Sequence, residues 1–202
     1  MRTTLCGLAV LCVTAMAFAQ EPAAPAARYG IAPATDAYPQ GTVKEALNSA
    51  TLSLDKKRFE YLVAHLLDPK LIDARVEGRA KSIEVAVERE YRLVRDEQFR
   101  QGLTARERLT SDAGEFNALV RNEARNRAFK LVVADARAHF GEYPETVKEF
   151  RRYLREGVVV DGGDIATITL KDVKDAQLNL RRVNQRWHLE DRKGPDPLDA
   201  KK

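Results

Sequence analysis

Apolar side chains recur with a 3.6-residue period between Val43 and Leu154 and with a two-residue period between Val158 and Leu189, so the folded part of the chain divides into helices followed by strands. Thr42-Val43-Lys44-Glu45 has the spacing of a capping box, in which hydroxyl and carboxylate each satisfy an orphan backbone N–H, and a helix is predicted to start there. Val43, Ala46, Leu47, Ala50 and Leu54 give it one apolar stripe. Asp55 is placed to cap a second helix, in which Phe59, Leu62, Val63 and Leu66 repeat the spacing until Asp68-Pro69 stops it. Ile83, Val87, Tyr91 and Val94 predict a third helix over about 80–101. Phe116, Leu119, Val120, Ala124, Ala128, Leu131 and Val132 predict a fourth over about 111–139, with Gly141 breaking the pattern. Pro144 suits the first turn of a fifth, which turns Val147, Phe150 and Leu154 inward and ends on Gly157.

Beyond Gly157 the alternation predicts strands. Ala166, Ile168 and Leu170 share one face, as do Ala176, Leu178 and Leu180, and then Trp187 and Leu189, while the intervening residues are mostly polar. A short strand at Val158 to Val160, turned by Asp161-Gly162-Gly163, makes a fourth. The link Lys171 to Asp175 and the turn at Asn184-Gln185 have hairpin lengths, so the strands form an antiparallel meander. Its apolar face needs a partner, and the amphipathic helices supply one. The expected fold is α+β, with N-terminal helices packed on one face of a C-terminal antiparallel meander of three to four strands.

The flanks differ in kind. Arg2, the apolar run Leu5 to Val13 and Ala17-Phe18-Ala19 have the pattern of a secretory signal peptide over 1–19, with cleavage expected between Ala19 and Gln20. The apolar run is too short to span a bilayer. Residues 20–41 hold Pro22, Pro25, Pro33 and Pro39 among alanines and read as a disordered tether; 192–202, with Pro195 and Pro197, reads as a flexible tail. Between them lies a single α+β domain, 42–191. A periplasmic or secreted location follows from the leader.

Composition narrows the chemistry. Both cysteines, Cys6 and Cys12, fall in the leader, and Leu5 and Leu11 before them are not the small residues a lipid-anchor signal requires. The remaining chain has no thiol for a disulfide, a nucleophile or a metal. Loss of Arg2 lowers the formal charge of +4 by one, and the charges of both signs alternate along the helices. No concentrated basic stripe with interleaved aromatics marks a nucleic-acid partner.

Three histidines occur, at 65, 139 and 188, too far apart for a local metal site. The spacing places His65 at the boundary of the second helix beside Tyr61, His139 at a helix end, and His188 on the polar strand face with Arg186 and Glu190, pointing away from the helices. Asp161 with Asp164, and Asp172 with Asp175, flank turns and read as solvated; their spacing is not that of a calcium loop. No nucleophile elbow, zinc-helix, phosphate-loop or dinucleotide signature is present. Arg151, Arg152 and Arg155, together with Arg181, Arg182 and Arg186, would hold an anionic group if the fold brought them together; with Glu149, Glu156 and Glu190 nearby, the residues favour a solvated mixed-charge surface. No catalytic residue, metal ligand or cofactor is assigned, and the ligand-binding residues stay open.

Thr42-Val43-Lys44-Glu45-Ala46-Leu47 through Asp55-Lys56-Lys57-Arg58-Phe59-Glu60-Tyr61-Leu62 resembles the first helix, polar turn and second helix of the NTF2-like, or cystatin-like, α+β cone family of small exported bacterial proteins. Ala166 to Leu170, followed by Leu178 to Leu189 with Trp187 just after the turn, resembles its closing strands. Between the second helix and Val158 the pattern is charged and helical, with no strand pair. The resemblance implies a cone-like fold and allows a small-pocket hydrolase or isomerase; the bare residues favour an exported, noncatalytic binding or interaction module of the cell envelope, whose partner would be an envelope protein or an anionic polymer.

Overall fold

The computed structural model describes residues 25–104, 109–110, 112–142, 144–172 and 177–190; residues 1–19, expected to be a leader, 192–202, expected to be a tail, and Asp175 and Ala176 lie outside them. Helix α1 (Val43–Asp55) starts on the predicted capping box: Thr42 Oγ1 accepts from Glu45 N (3.2 Å) and Glu45 Oε2 accepts from Thr42 N (2.9 Å). Asp55 ends α1 and does not cap the next helix. The chain instead turns through Lys57, in the left-handed region at φ 55°, into the short α2 (Phe59–Tyr61) and a π-helical turn, Leu62–Leu66.

Asp68 is a start signal as well as a stop. Its carboxylate accepts from Lys70 N (2.9 Å), Pro69 takes the first helical position, and α3 (Pro69–Arg100) runs 32 residues, beginning about ten residues earlier than the apolar stripe alone predicted. Polar residues face solvent over that first stretch, and only Ile72, Val76 and Ala80 face in, which hides the helix from a periodicity reading. Helix α4 (Ala113–Glu142) continues through Gly141 and lies against α3. Their seam joins Val76, Ala80 and Val87 to Phe116, Val120, Ala124 and Ala128, where alanines let the backbones approach. Leu131, expected inside, is 47% exposed, and Phe129 and Val133 are buried in its place. Ion pairs Arg79–Asp135, Arg127–Glu90 and Arg125–Glu77 lace the two helices at the surface.

Helix α5 (Pro144–Glu156) returns the chain to the sheet. Gly157 ends it where no larger residue fits: a Cβ there would sit 2.4 Å from Ile168 Cγ2 and from the Tyr153 carbonyl oxygen. Strands β1 (Val158–Asp161), β2 (Ile165–Thr169), β3 (Gln177–Val183) and β4 (Arg186–Glu190) then form the antiparallel meander in sequence order. Asn184 and Gln185, both at positive φ (49° and 63°), make the tight turn between β3 and β4. Its register pairs Leu180 with Leu189 and Arg182 with Trp187, so the predicted apolar residues share a face. Ala166, Ile168, Leu180, Trp187 and Leu189 are all buried on it, in one core with Leu47, Ala50 and Leu62. The fold is α+β as expected.

The supposed tether is a correction. Residues 20–24 lie outside the described residues, but 25–41 form a strap packed on the domain. Arg28 donates to the carbonyls of Ala64 (2.8 Å) and Pro69 (3.3 Å) and pairs with Asp73 at 2.5 Å; Tyr29 stacks on Phe129 with ring centres 4.4 Å apart. Tyr38 and Gln40 are each only 2% exposed. Burial first, and then the bond to Asp73, push the Tyr29 phenol up to about 12, so it remains a donor. The strap also closes a sheet edge: Trp187 N donates to Gln40 O (2.9 Å), and Asp68 N donates to Leu189 O (2.8 Å), so the outer edge of β4 is hydrogen-bonded.

Candidate functional site

The space between the sheet and the first two helices is filled by Leu47, Leu62, Leu66, Leu180 and Trp187. A cavity of ≈ 440 Å³ opens further along, where the sheet meets α3, α4 and α5. That is the size of a small-molecule pocket, typically about 300–1,000 Å³. Val63, Leu67, Ile72, Val132, Phe140, Phe150, Leu178 and Leu189 supply its apolar wall, all of them from the inward stripes of their elements. The polar lining groups are Arg75 and Arg79 on α3, Asp135 and His139 on α4, Asn179 on β3 and Glu190 on β4. Arg79 donates to the Asp135 carboxylate and so ties α3 to α4 at this cavity. Glu190 accepts from Arg181 (2.7 Å), and Asn179 Oδ1 accepts from the Thr167 hydroxyl (3.1 Å), which holds both strand residues in place. An apolar body and a polar end would both be matched here.

Two of the three histidines, His65 and His188, are more deeply buried than the sequence predicts. His139 is exposed near the end of α4 and lines the cavity, in agreement with its helix-end reading. His65 is buried at 4% exposure, its Nε2–H donating to the Ile31 carbonyl (2.9 Å) and its ring 5.0 Å from that of Tyr61. His188 is buried too, at 8%, although it shares a strand face with Arg186 and Glu190. The error has a physical cause: the middle of β4 is buried on both faces, because the strap and the π-helical turn cover the face opposite the main core. Gln40 is the link, its Nε2 donating to the carbonyls of His65 (3.0 Å) and Trp187 (2.8 Å) and lying 3.4 Å from His188 Nδ1. Burial above all, then the positive charges of Arg186 and Arg28, lower the His188 imidazole to about 4, against smaller opposing effects of Asp68 and a bond to the His65 backbone. Burial likewise lowers His65, with Arg28 and Arg186 adding to it. The signal that sequence reading passed over was the set of large side chains among the prolines, Arg28, Tyr29, Ile31 and Tyr38, more than a tether needs.

Of the two arginine groups, Arg151, Arg152 and Arg181 go to local acids, whereas Arg186 makes no ion pair among the described residues. Arg151 bonds Asp55 (2.6 Å), Arg152 bonds Glu156 (3.0 Å) and Asp172, Arg181 bonds Glu190 and lies 3.6 Å from Asp68, and Arg182 lies 6.0 Å from the Trp187 ring centre. Asp161 ends β1 and Asp164 lies in the turn that follows, both exposed, and the Asp161 carboxylate accepts from Gly163 N (2.8 Å). Among the described residues no group of three His, Cys, Asp or Glu is placed to hold a metal, and no helix is long and apolar enough to cross a membrane. No protein-family model, curated protein or solved structure matches this chain.

Proposed function

We propose that the chain is an exported, noncatalytic binding module of the cell envelope, taking a small molecule with an apolar body and a polar end into the cavity between the sheet and α3 to α5. The observation that carries this reading is the cavity itself, ≈ 440 Å³ and lined by both apolar and polar side chains. Two of those groups, Arg79 and Asp135, already satisfy each other. That suits them to frame an opening better than to transfer a proton. The exported address rests on the leader pattern at 1–19, and the order of α1, short second helix and closing hairpin supports the NTF2-like resemblance as part of the same proposal. Asp135 and His139, one turn apart on α4 and both at the cavity, are the observation behind the alternative, a hydrolase or isomerase.

The test is saturable binding of the dye anilinonaphthalenesulfonate, which has an apolar body and an anionic end. Ala136 lines the cavity from α4, and Ala136→Leu should narrow it. Enhanced dye fluorescence that saturates at one dye per chain, and weakens in Ala136→Leu at an unchanged melting temperature, is the expected result. Dye binding that ignores the substitution would place the ligand elsewhere and defeat the proposal.

A further inference from the structure

A second cavity, ≈ 740 Å³, lies under the strap and shares no wall with the first. Pro25 and Arg28 of the strap, His65 of the π-helical turn, Lys70 and Asp73 at the start of α3, Asn184 and Gln185 of the hairpin turn, and Arg186 and His188 of β4 line it. Its charges do not balance locally. Asp73 is engaged twice, by Arg28 at 2.5 Å and by the Tyr29 hydroxyl at 2.6 Å. Asp68, the other nearby acid, accepts from Lys70 N and faces Arg181 at 3.6 Å. Arg186, half-buried, and Lys70, exposed, make no side-chain hydrogen bond or ion pair among the described residues. A partly buried guanidinium without a counter-charge is costly unless something supplies one.

We propose that this cavity binds an oxyanion, the phosphate or carboxylate group of a small molecule, held between Arg186 and Lys70. The guanidinium offers a planar fork of donors and the ammonium a mobile point charge, which together fit a tetrahedral or planar oxyanion. His65 and His188 feel Arg28 and Arg186 as repelling charges, so an anion seated there relieves both imidazoles and must favour their protonation. By linkage, the anion binds more tightly as these rings gain protons. The site stands on residues separate from those of the proposed ligand cavity, so either can fail alone.

The experiment follows the ring signals of His65 and His188 by NMR in the full mature chain while inorganic phosphate is added at constant ionic strength, with acetate and chloride as parallel titrations. Saturable shifts with phosphate or acetate, absent with chloride, are expected, as is a raised titration midpoint of His188 at saturation. The stronger of the two names the group, phosphoryl or carboxyl. Arg186→Gln and Lys70→Gln should each weaken binding by about tenfold. If Arg186→Gln unfolds, the exposed Lys70→Gln reads the site by itself. Shifts that follow chloride equally, or an affinity unchanged in Lys70→Gln, would overturn the proposal.

Discussion

Replacing His188 with glutamine tests the burial of β4 on both faces most directly. The folded chain holds this imidazole at about 4, whereas the unfolded chain holds it near 6.5. As pH falls through about 6.5 the unfolded chain takes up a proton that the folded chain refuses until about 4, so unfolding is favoured increasingly across that window and no further below it. At ~1.4 kcal/mol per tenfold, the difference amounts to about 3 kcal/mol of stability present at neutral pH and lost by about pH 4. His65, lowered in the same direction, adds to the loss with the same sign. Glutamine keeps a polar group near Gln40 but cannot titrate. It should cost ~1–3 kcal/mol at neutral pH through lost packing, while removing the acid-dependent part belonging to residue 188. Urea melts followed by circular dichroism at about pH 7 and about pH 4.5 measure both numbers, and acid effects common to the two proteins cancel in the comparison. An equal acid loss in wild type and His188→Gln would show that the imidazole titrates freely, and the buried network with Gln40 would be refuted.

Three further outcomes are expected. Tyr38→Ala should cost ~3–5 kcal/mol, because the ring is buried against Tyr61 at 4.4 Å and its loss leaves a hole; a denaturant midpoint within error of wild type would restore the tether reading of 25–41. Trp187→Ala should cost a similar ~3–5 kcal/mol by the same measurement, since the indole is 3% exposed on the face shared with Leu189. Gly157→Ala should lower the melting temperature through an overpacking cost of at least ~1–3 kcal/mol, the new Cβ meeting Ile168 and the Tyr153 carbonyl at 2.4 Å; an unchanged melting temperature would mean that α5 and β2 are not in close contact.

The residue pattern alone carried the α+β class, the capping box at Thr42, the fifth helix ending at Gly157, the meander and the apolar face that includes Trp187. These features depend on interactions within a few residues or on a strict period, and period and local bonding are written directly in order of residues. Long-range covering is not. The first ten residues of α3 were hidden because packing needs only a narrow inward stripe there, and Asp68-Pro69 reads equally as an end or a beginning. Only the large side chains among its prolines hint that 25–41 packs, and where they pack is not local: its contacts reach Tyr61, Ala64, His65, Asp73, Phe129 and Trp187, 25 to 147 positions away along the chain. The same cause governed the sites. Alternation fixes which face of β4 holds His188, but whether that face meets water depends on a strap that only the tertiary structure lays over it, and both cavities exist only where elements distant in sequence fail to fill the space between them.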